Sequence, residues 1–178
     1  KPMDKDKDYD FPEPADGPDN HEGSDNPLQE IFEIVQAFLE ANQLDMNIEV
    51  RLSERGVVLE IRDEILFESG KAQLKPEALN LLKKLSGLLK DLPHDIIVEG
   101  HTDNRPINTA QFPSNWELST ARSLSVIRFL SEVEGLEPAK FCAVGYGEYQ
   151  PKVPNDSLEN MAQNRRVLIV IVAKVSDP

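Results

Sequence analysis

The chain has 178 residues, 39% of them hydrophobic, and carries 32 acidic against 19 basic side chains for a formal net charge of −13. That length suits one buried core with an extra segment rather than two full domains, and the charge repels a nucleic-acid backbone over most of the surface, so nucleic acid is excluded as a partner. No run approaches the roughly 18–20 apolar residues that cross a bilayer, nothing at the start reads as a signal peptide, and the single cysteine, Cys142, excludes an internal disulfide and a multi-thiolate zinc site.

Residues 1–26 hold nine acidic side chains, three lysines and four prolines with hardly any apolar residues. Too little surface can be buried there to offset the entropy of ordering, so the segment is expected to be a disordered acidic linker. A helix is expected from Pro27 to about Asn42, because Leu28, Ile31, Ile34, Val35, Phe38 and Leu39 recur at three- and four-residue spacing. Its apolar stripe must pack on the domain or on a partner. Residues 27–44 are assigned to this linker helix and 45–178 to the domain that follows.

Ile48, Val50 and Leu52 alternate with polar residues, as do Val57, Leu59 and Ile61, with Glu54-Arg55-Gly56 between them, which predicts a β-hairpin. Pro76 opens a helix whose face is marked by Leu79, Leu82, Leu85, Leu89 and Leu92. Ile96–Glu99 reads as a short buried strand. Ser114 and Glu117 form a capping-box pattern ahead of a second long helix that ends near Gly135. Phe141–Tyr146 and Val167–Ala173 read as further strands. Strands alternating with helices imply an α/β, two-layer arrangement: one mixed sheet with crossover units, and the Pro27 helix as an addition at the front.

The second long helix contains an anomaly. Leu118, Val126, Phe129 and Val133 project within about 40° of Arg122 at about 100° per residue, so a guanidinium sits in the middle of an apolar stripe. It cannot shed its charge and therefore needs a carboxylate or several acceptors. Asp103 is the expected partner, because Gly100-His101-Thr102-Asp103 follows a buried strand directly and the loop there is where open sheets form crevices. Two readings stay open from spacing: a buried brace between loop and helix, or a shared site for a zwitterion whose carboxylate meets Arg122 and whose ammonium meets Asp103.

Other chemistries are disfavoured. His94 and His101 stand near opposite ends of a strand, roughly 20 Å apart, too far to share a metal. No serine sits in a G-x-S-x-G turn, and the chain has neither G-x-G-x-x-G nor G-x-x-x-x-G-K, so neither a catalytic triad nor a nucleotide cofactor is expected. Trp116 reads either as helix packing or as a surface anchor.

The runs GHTDNRPI at 100–107, FPSNWELSTARS at 112–123, VGYGEYQP at 144–151 and NRRV at 164–167 together resemble the OmpA-like domain family, over about residues 45–175. Within it, FPSNWELS is similar to the wall-facing part of flagellar motor stator proteins of the MotB, MotS and PomB type. The resemblance implies a mixed sheet with helices on one face, no enzyme activity, no metal or cofactor, and non-covalent binding of peptidoglycan through the diaminopimelate of its stem peptide. It implies anchorage of the stator to the cell wall; the alternative is a wall tether of the OmpA or lipoprotein type without a motor role.

Carried over by position, the family's TD aspartate falls on Asp103, and the arginine of its N-x-x-L-S-x-x-R pattern on Arg122, with Asn115, Leu118 and Ser119 filling that pattern. Thr102 and Asn115 are then expected to line the pocket, flanked by an arginine of Asn164-Arg165-Arg166, with Arg165 the candidate. Eleven residues separate Asp103 from Asn115, more than in the outer-membrane members of the family. The sequence opens at Lys1 rather than at a methionine and contains none of the membrane helix with its ion-carrying aspartate that stator proteins have, so it reads as an extracytoplasmic fragment. That helix and a channel-type partner subunit belong to the expected full-length protein, together with a homodimer of the wall-binding part.

Overall fold

The computed structural model describes residues 26–175. Residues 1–25 of the expected acidic linker lie outside the described residues, and Asn26 caps the first helix, α1 (Pro27–Ala41), its side chain accepting from the Leu28 amide at 3.2 Å. Pro27 takes the first helical position, where an amide hydrogen has no partner in any case. The stripe turns Val35 and Leu39 into the main core, with Ile31, Phe32 and Phe38 packed against it, so α1 covers the domain's own sheet.

The helix stops at Ala41, with Asn42, the expected end, as its cap. Gln43 adopts φ 57°, its amide reaches the Glu40 carbonyl at 3.2 Å, and the Leu44 amide reaches that of Leu39 at 2.8 Å. This is a Schellman closure, with Leu39 and Leu44 both buried in the main core.

The hairpin forms as expected from β1 (Ile48–Ser53) and β2 (Gly56–Arg62), in the register Ile48↔Ile61 to Ser53↔Gly56. Four residues of helix, α2 (Asp63–Leu66), follow β2 at once, and then α3 (Pro76–Asp91). β3 spans His94–His101, longer at both ends than the apolar run suggested, α4 spans Asn115–Arg128, and β4 spans Phe141–Gly145. A last short helix, α5 (Leu158–Asn164), leads into β5 (Arg166–Val175). The sheet order is β1-β2-β5-β3-β4, with β3 and β4 parallel and joined across α4, and the other pairs antiparallel. The mixed sheet inferred from the sequence is therefore present.

Alternation along the strands sends Leu59, Ile61, Val98, Val167 and Ile169 to one face, where they meet Leu82, Leu85 and Leu89 of α3 and Val126 of α4 in one cluster. The opposite face has a smaller cluster of Val58, Leu168 and Val170. Leu168 lies between Glu60 and Glu99 in register. Those buried acids are matched: Arg51 and Lys152 reach Glu60 at 2.7 and 2.8 Å, and Arg55 pairs with Glu99.

One member of the expected stripe on α4 departs from it: Val133 is 66% exposed. Beyond Arg128 the helix widens into a π turn over Phe129–Val133, with the Glu134 amide bonded to the Phe129 carbonyl five residues back. Each residue there turns through less than the α-helical angle, so Val133 rotates off the face that Arg122 and Val126 share.

Candidate functional site

Strand register assembles the site. β2 and β3 both run antiparallel to β5, so they end at the same edge of the sheet, where Arg62 and His101 both pair with Arg166. The next residues of each chain segment, Asp63, Arg165 and the Thr102-Asp103 pair, therefore meet just beyond that edge. The Asp63 amide bonds to the Arg165 carbonyl at 3.0 Å, and the Thr102 amide to that of Gly147 at 2.9 Å.

α4 closes the same edge. A Cβ at Gly100 would lie 2.1 Å from the Ser119 carbonyl oxygen, so only glycine lets the helix rest directly on the end of β3. Arg122 then stands one turn further along, over the strand ends. The resulting cavity, about 750 Å³, is lined by all six residues singled out in the sequence, Thr102, Asp103, Asn115, Leu118, Arg122 and Arg165, and also by Asp63, Phe67 and Arg105.

Arg122 is buried, as its place in the stripe required, but its carboxylate is Asp63 and not Asp103: Nη1 donates to Asp63 Oδ2 at 2.7 Å. Nε donates to the Lys71 carbonyl at 2.8 Å and Nη2 to the Glu68 carbonyl at 3.3 Å, while the guanidinium carbon lies 5.0 Å from the Phe67 ring centre. The expected direct brace between Asp103 and Arg122 is thus replaced. The reason is α2, which turns the chain immediately after β2 and sets Asp63 and the loop behind it against α4.

Asp103 faces elsewhere. Its Oδ1 accepts from the Arg105 amide at 2.9 Å, a local turn that orients the carboxylate, and its Oδ2 accepts from Arg165 Nη1 at 2.6 Å and Arg105 Nε at 3.0 Å. Arg165 Nε is 3.6 Å from Asp63 Oδ1 and links the two pairs. Two carboxylates and three guanidinia form one chain of contacts carrying a net single positive charge, inside a molecule of net −13.

Burial dominates the ionisation of the inner pair. It raises the Asp63 carboxyl above its ordinary range against the pull of Arg122 and Arg165, and it lowers the Arg122 guanidinium against the pull of Asp63. Arginine's margin is wide enough that Arg122 stays charged.

The remaining residues divide between wall and scaffold. Leu118 is an apolar wall. The Thr102 hydroxyl donates to the Asp103 carbonyl at 2.8 Å, and Asn115 Nδ2 donates to the Arg105 carbonyl at 3.0 Å and more distantly to the Asp103 carbonyl and Glu148. Both hold the 103–105 loop in place. Of the run Asn164-Arg165-Arg166, only Arg165 lines the cavity. Asn164 binds the amides of Lys152 and Val153, and Arg166 donates to the carbonyls of Asn164 and Gln150. Trp116 lies half exposed and stacks on Tyr149, with ring centres 4.8 Å apart.

Asp63, Phe67 and Arg105 were not singled out in the sequence. Asp63 carried a usable signal, an acid directly after a buried strand, but its nearness to Arg122 depends on β5 lying between β2 and β3.

Residues 66–165 match the OmpA family. The Motility protein B of Bacillus subtilis is 37% identical over 148 residues, which is 83% of this chain and 57% of that protein. A crystal structure of a MotB-like protein from Desulfovibrio vulgaris superposes with a TM-score of 0.78 at 32% identity, covering 83% of this chain and 92% of that one. The cell wall anchor of the T6SS from Pseudomonas aeruginosa gives 0.71 at 35%, covering 78% and 96%. The chain spans between about half and two thirds of the length of the first curated relatives it matches, 64%, 57% and 49%. With a family match over more than half of its residues, and the strand order and helix-covered sheet described above, the chain belongs to the OmpA family, in its MotB-like form.

Proposed function

We propose that this domain binds peptidoglycan without covalent chemistry and serves as an anchor, not an enzyme. The observation that supports the reading best is the excess positive charge of the cavity. Arg122 uses three of its five N–H donors on Asp63, Lys71 and Glu68, which leaves two for a ligand carboxylate. Asp103, across the same cavity, is the carboxylate a ligand ammonium would approach. A group carrying both charges on one centre, such as the free end of diaminopimelate in a stem peptide, fits these demands, with Leu118 against its aliphatic chain and Thr102 and Asn115 holding the loop that presents Asp103.

In the full-length protein the domain anchors a flagellar motor stator on the extracytoplasmic side of the membrane, as a homodimer beside a membrane channel subunit. Wall contact there resists the torque that would otherwise drag the stator round. Residues 1–26 and 27–44 then form the acidic linker and its helix, and 45–178 the wall-binding unit. Similarity to a cell wall anchor of a secretion system over almost all of that chain supports a second reading, a wall tether without a motor role. Swimming of a strain carrying the full-length protein with Asp103→Asn separates the two: loss of swimming supports the stator, and unaltered swimming supports the tether.

Co-sedimentation with purified sacculi tests the binding itself. Wild-type protein is expected to pellet without releasing muropeptides, and Asp103→Asn and Arg165→Gln are expected to remain in the supernatant while keeping wild-type circular dichroism. Wild-type pelleting of both variants contradicts the proposal.

A further inference from the structure

Asp103 is already crowded in the absence of any ligand. A carboxylate offers about four acceptor positions, and three are taken: one by the Arg105 amide, one by Arg165 Nη1 and one by Arg105 Nε. An ammonium brings up to three donors and no acceptor, and the one open position takes a single donor, so a second bond to Asp103 needs one of these partners to leave.

The two arginines differ in what holds them. Arg165 is braced at both ends, on Asp103 and beside Asp63, and its side chain is 24% exposed. Arg105 is 55% exposed, and among the described residues its guanidinium bonds to the Asp103 side chain alone. Its backbone, by contrast, is fixed independently of the side chain: its amide binds Asp103 Oδ1 and its carbonyl accepts from Asn115. The Arg105 guanidinium can therefore swing into solvent while the loop stays in place.

We infer that Arg105 is a specificity-determining residue acting as a built-in competitor, its guanidinium occupying the acceptor on Asp103 that a ligand's ammonium takes. The inference rests on the reading of the cavity as a zwitterion site. Such competition sets a threshold: a ligand must bring a real positive charge to displace Arg105, and a neutral amide at the same place cannot. It also keeps the affinity of a single domain modest. The guanidinium end of the displaced pair is more than half exposed, so its release into water costs little and the gain on removing it is small, about twofold to fivefold in the dissociation constant.

The test is calorimetric titration of wild-type, Arg105→Ala and Asp103→Asn proteins with an alanyl-γ-glutamyl-diaminopimelate tripeptide and with the same peptide acetylated on its free side-chain amine. Arg105→Ala is expected to bind the free-amine peptide about twofold to fivefold tighter than wild type. It is expected to gain nothing toward the acetylated one, because removing a cation also weakens the hold on the carboxylates. Arg105→Gln is expected to repeat the gain. Equal or weaker binding of the free-amine peptide by both Arg105 variants overturns the inference while leaving the site reading intact. Undiminished binding by a folded Asp103→Asn protein overturns both.

Discussion

On the proposed reading, Arg122 is a structural necessity and a binding group together. Its three intramolecular bonds tie α4 to Asp63 and to the carbonyls of residues 68 and 71, so the wall of the cavity and the guanidinium that faces it are built by the same contacts. Removing the guanidinium leaves Asp63 buried beside Arg165 alone, at 3.6 Å. Arg122→Ala is therefore expected to lower the stability to urea by about 3–5 kcal/mol, the range for one partner lost from a buried pair. A loss under about 1 kcal/mol is what an exposed pair gives and contradicts this description of the residue. It follows that Asp103 and Arg165 are the better positions for binding variants.

His101 sets a second expectation, on the opposite face of the sheet. It is buried, stacked on Tyr146 with ring centres 5.0 Å apart, and 3.3 Å from Glu99. Burial lowers its pKa below the ordinary 6.5 despite Glu99, so the folded state holds the neutral ring and the unfolded chain takes up a proton first as pH falls. Stability from this residue is complete above about 6.5 and is lost below it. Burial alone would raise the Glu99 pKa, but bonds from His101 and Arg55 outweigh it and the net direction is down from 4.5, which adds a loss of the same sign at lower pH. Asp63, raised, works in the opposite sense, favouring the fold as pH falls through the carboxylate range. The melting temperature is expected to fall between pH 7.5 and 5.5, with a shallower slope in His101→Gln; His94, also lowered by burial, keeps part of the slope. An unchanged slope in the variant contradicts the assignment.

At the level of elements, the ends of α1 show what determines a boundary. Asn26 and Pro27 are strong start signals and the helix begins there. Its stop uses the left-handed conformation at Gln43, a residue type that gives no warning. Replacing it with glycine, which tolerates that conformation, is expected to stabilise the fold by roughly 0.5–1 kcal/mol, the left-handed penalty less glycine's larger unfolded-state entropy. Chemical denaturation measures it, and a destabilised Gln43→Gly protein contradicts the closure described here.

Periodic segments of six residues or more, the hairpin, α1, α3 and α4, were legible because burial on one face imprints a period, and β5 was legible as a continuous apolar run. α2 has four residues and no room for a period, yet it delivers Asp63 to Arg122. The anomaly of a guanidinium in an apolar stripe was visible, and its burial followed. Which carboxylate meets it was not visible, because that choice depends on β5 being inserted between β2 and β3, a pairing of residues over a hundred positions apart. The π turn that exposes Val133 left no mark in an unbroken helical pattern either.

For the molecule as a whole, the contrast between global and local charge is the central feature. Residues 1–26 contribute three positive and nine negative charges, and the rest of the chain is acidic as well. An anionic polymer gains nothing from such a surface at long range, so the proposed recognition rests on the few charges at the strand ends, and its salt dependence is expected to be modest. A short-range site of this kind suits an anchor, which needs contacts that bear load on one repeating unit of the wall.

The most direct measurement is a titration of the isotopically labelled domain with meso-diaminopimelate, followed by nuclear magnetic resonance of the arginine Nε–H groups and the leucine and valine methyls. Shifts concentrated at Arg122, Arg165, Arg105 and Leu118, with Leu168 and Val170 on the far face unmoved, are the expected result. Shifts confined to the far face, or none at concentrations that saturate sacculus binding, would contradict a zwitterion site at the ends of β2, β3 and β5.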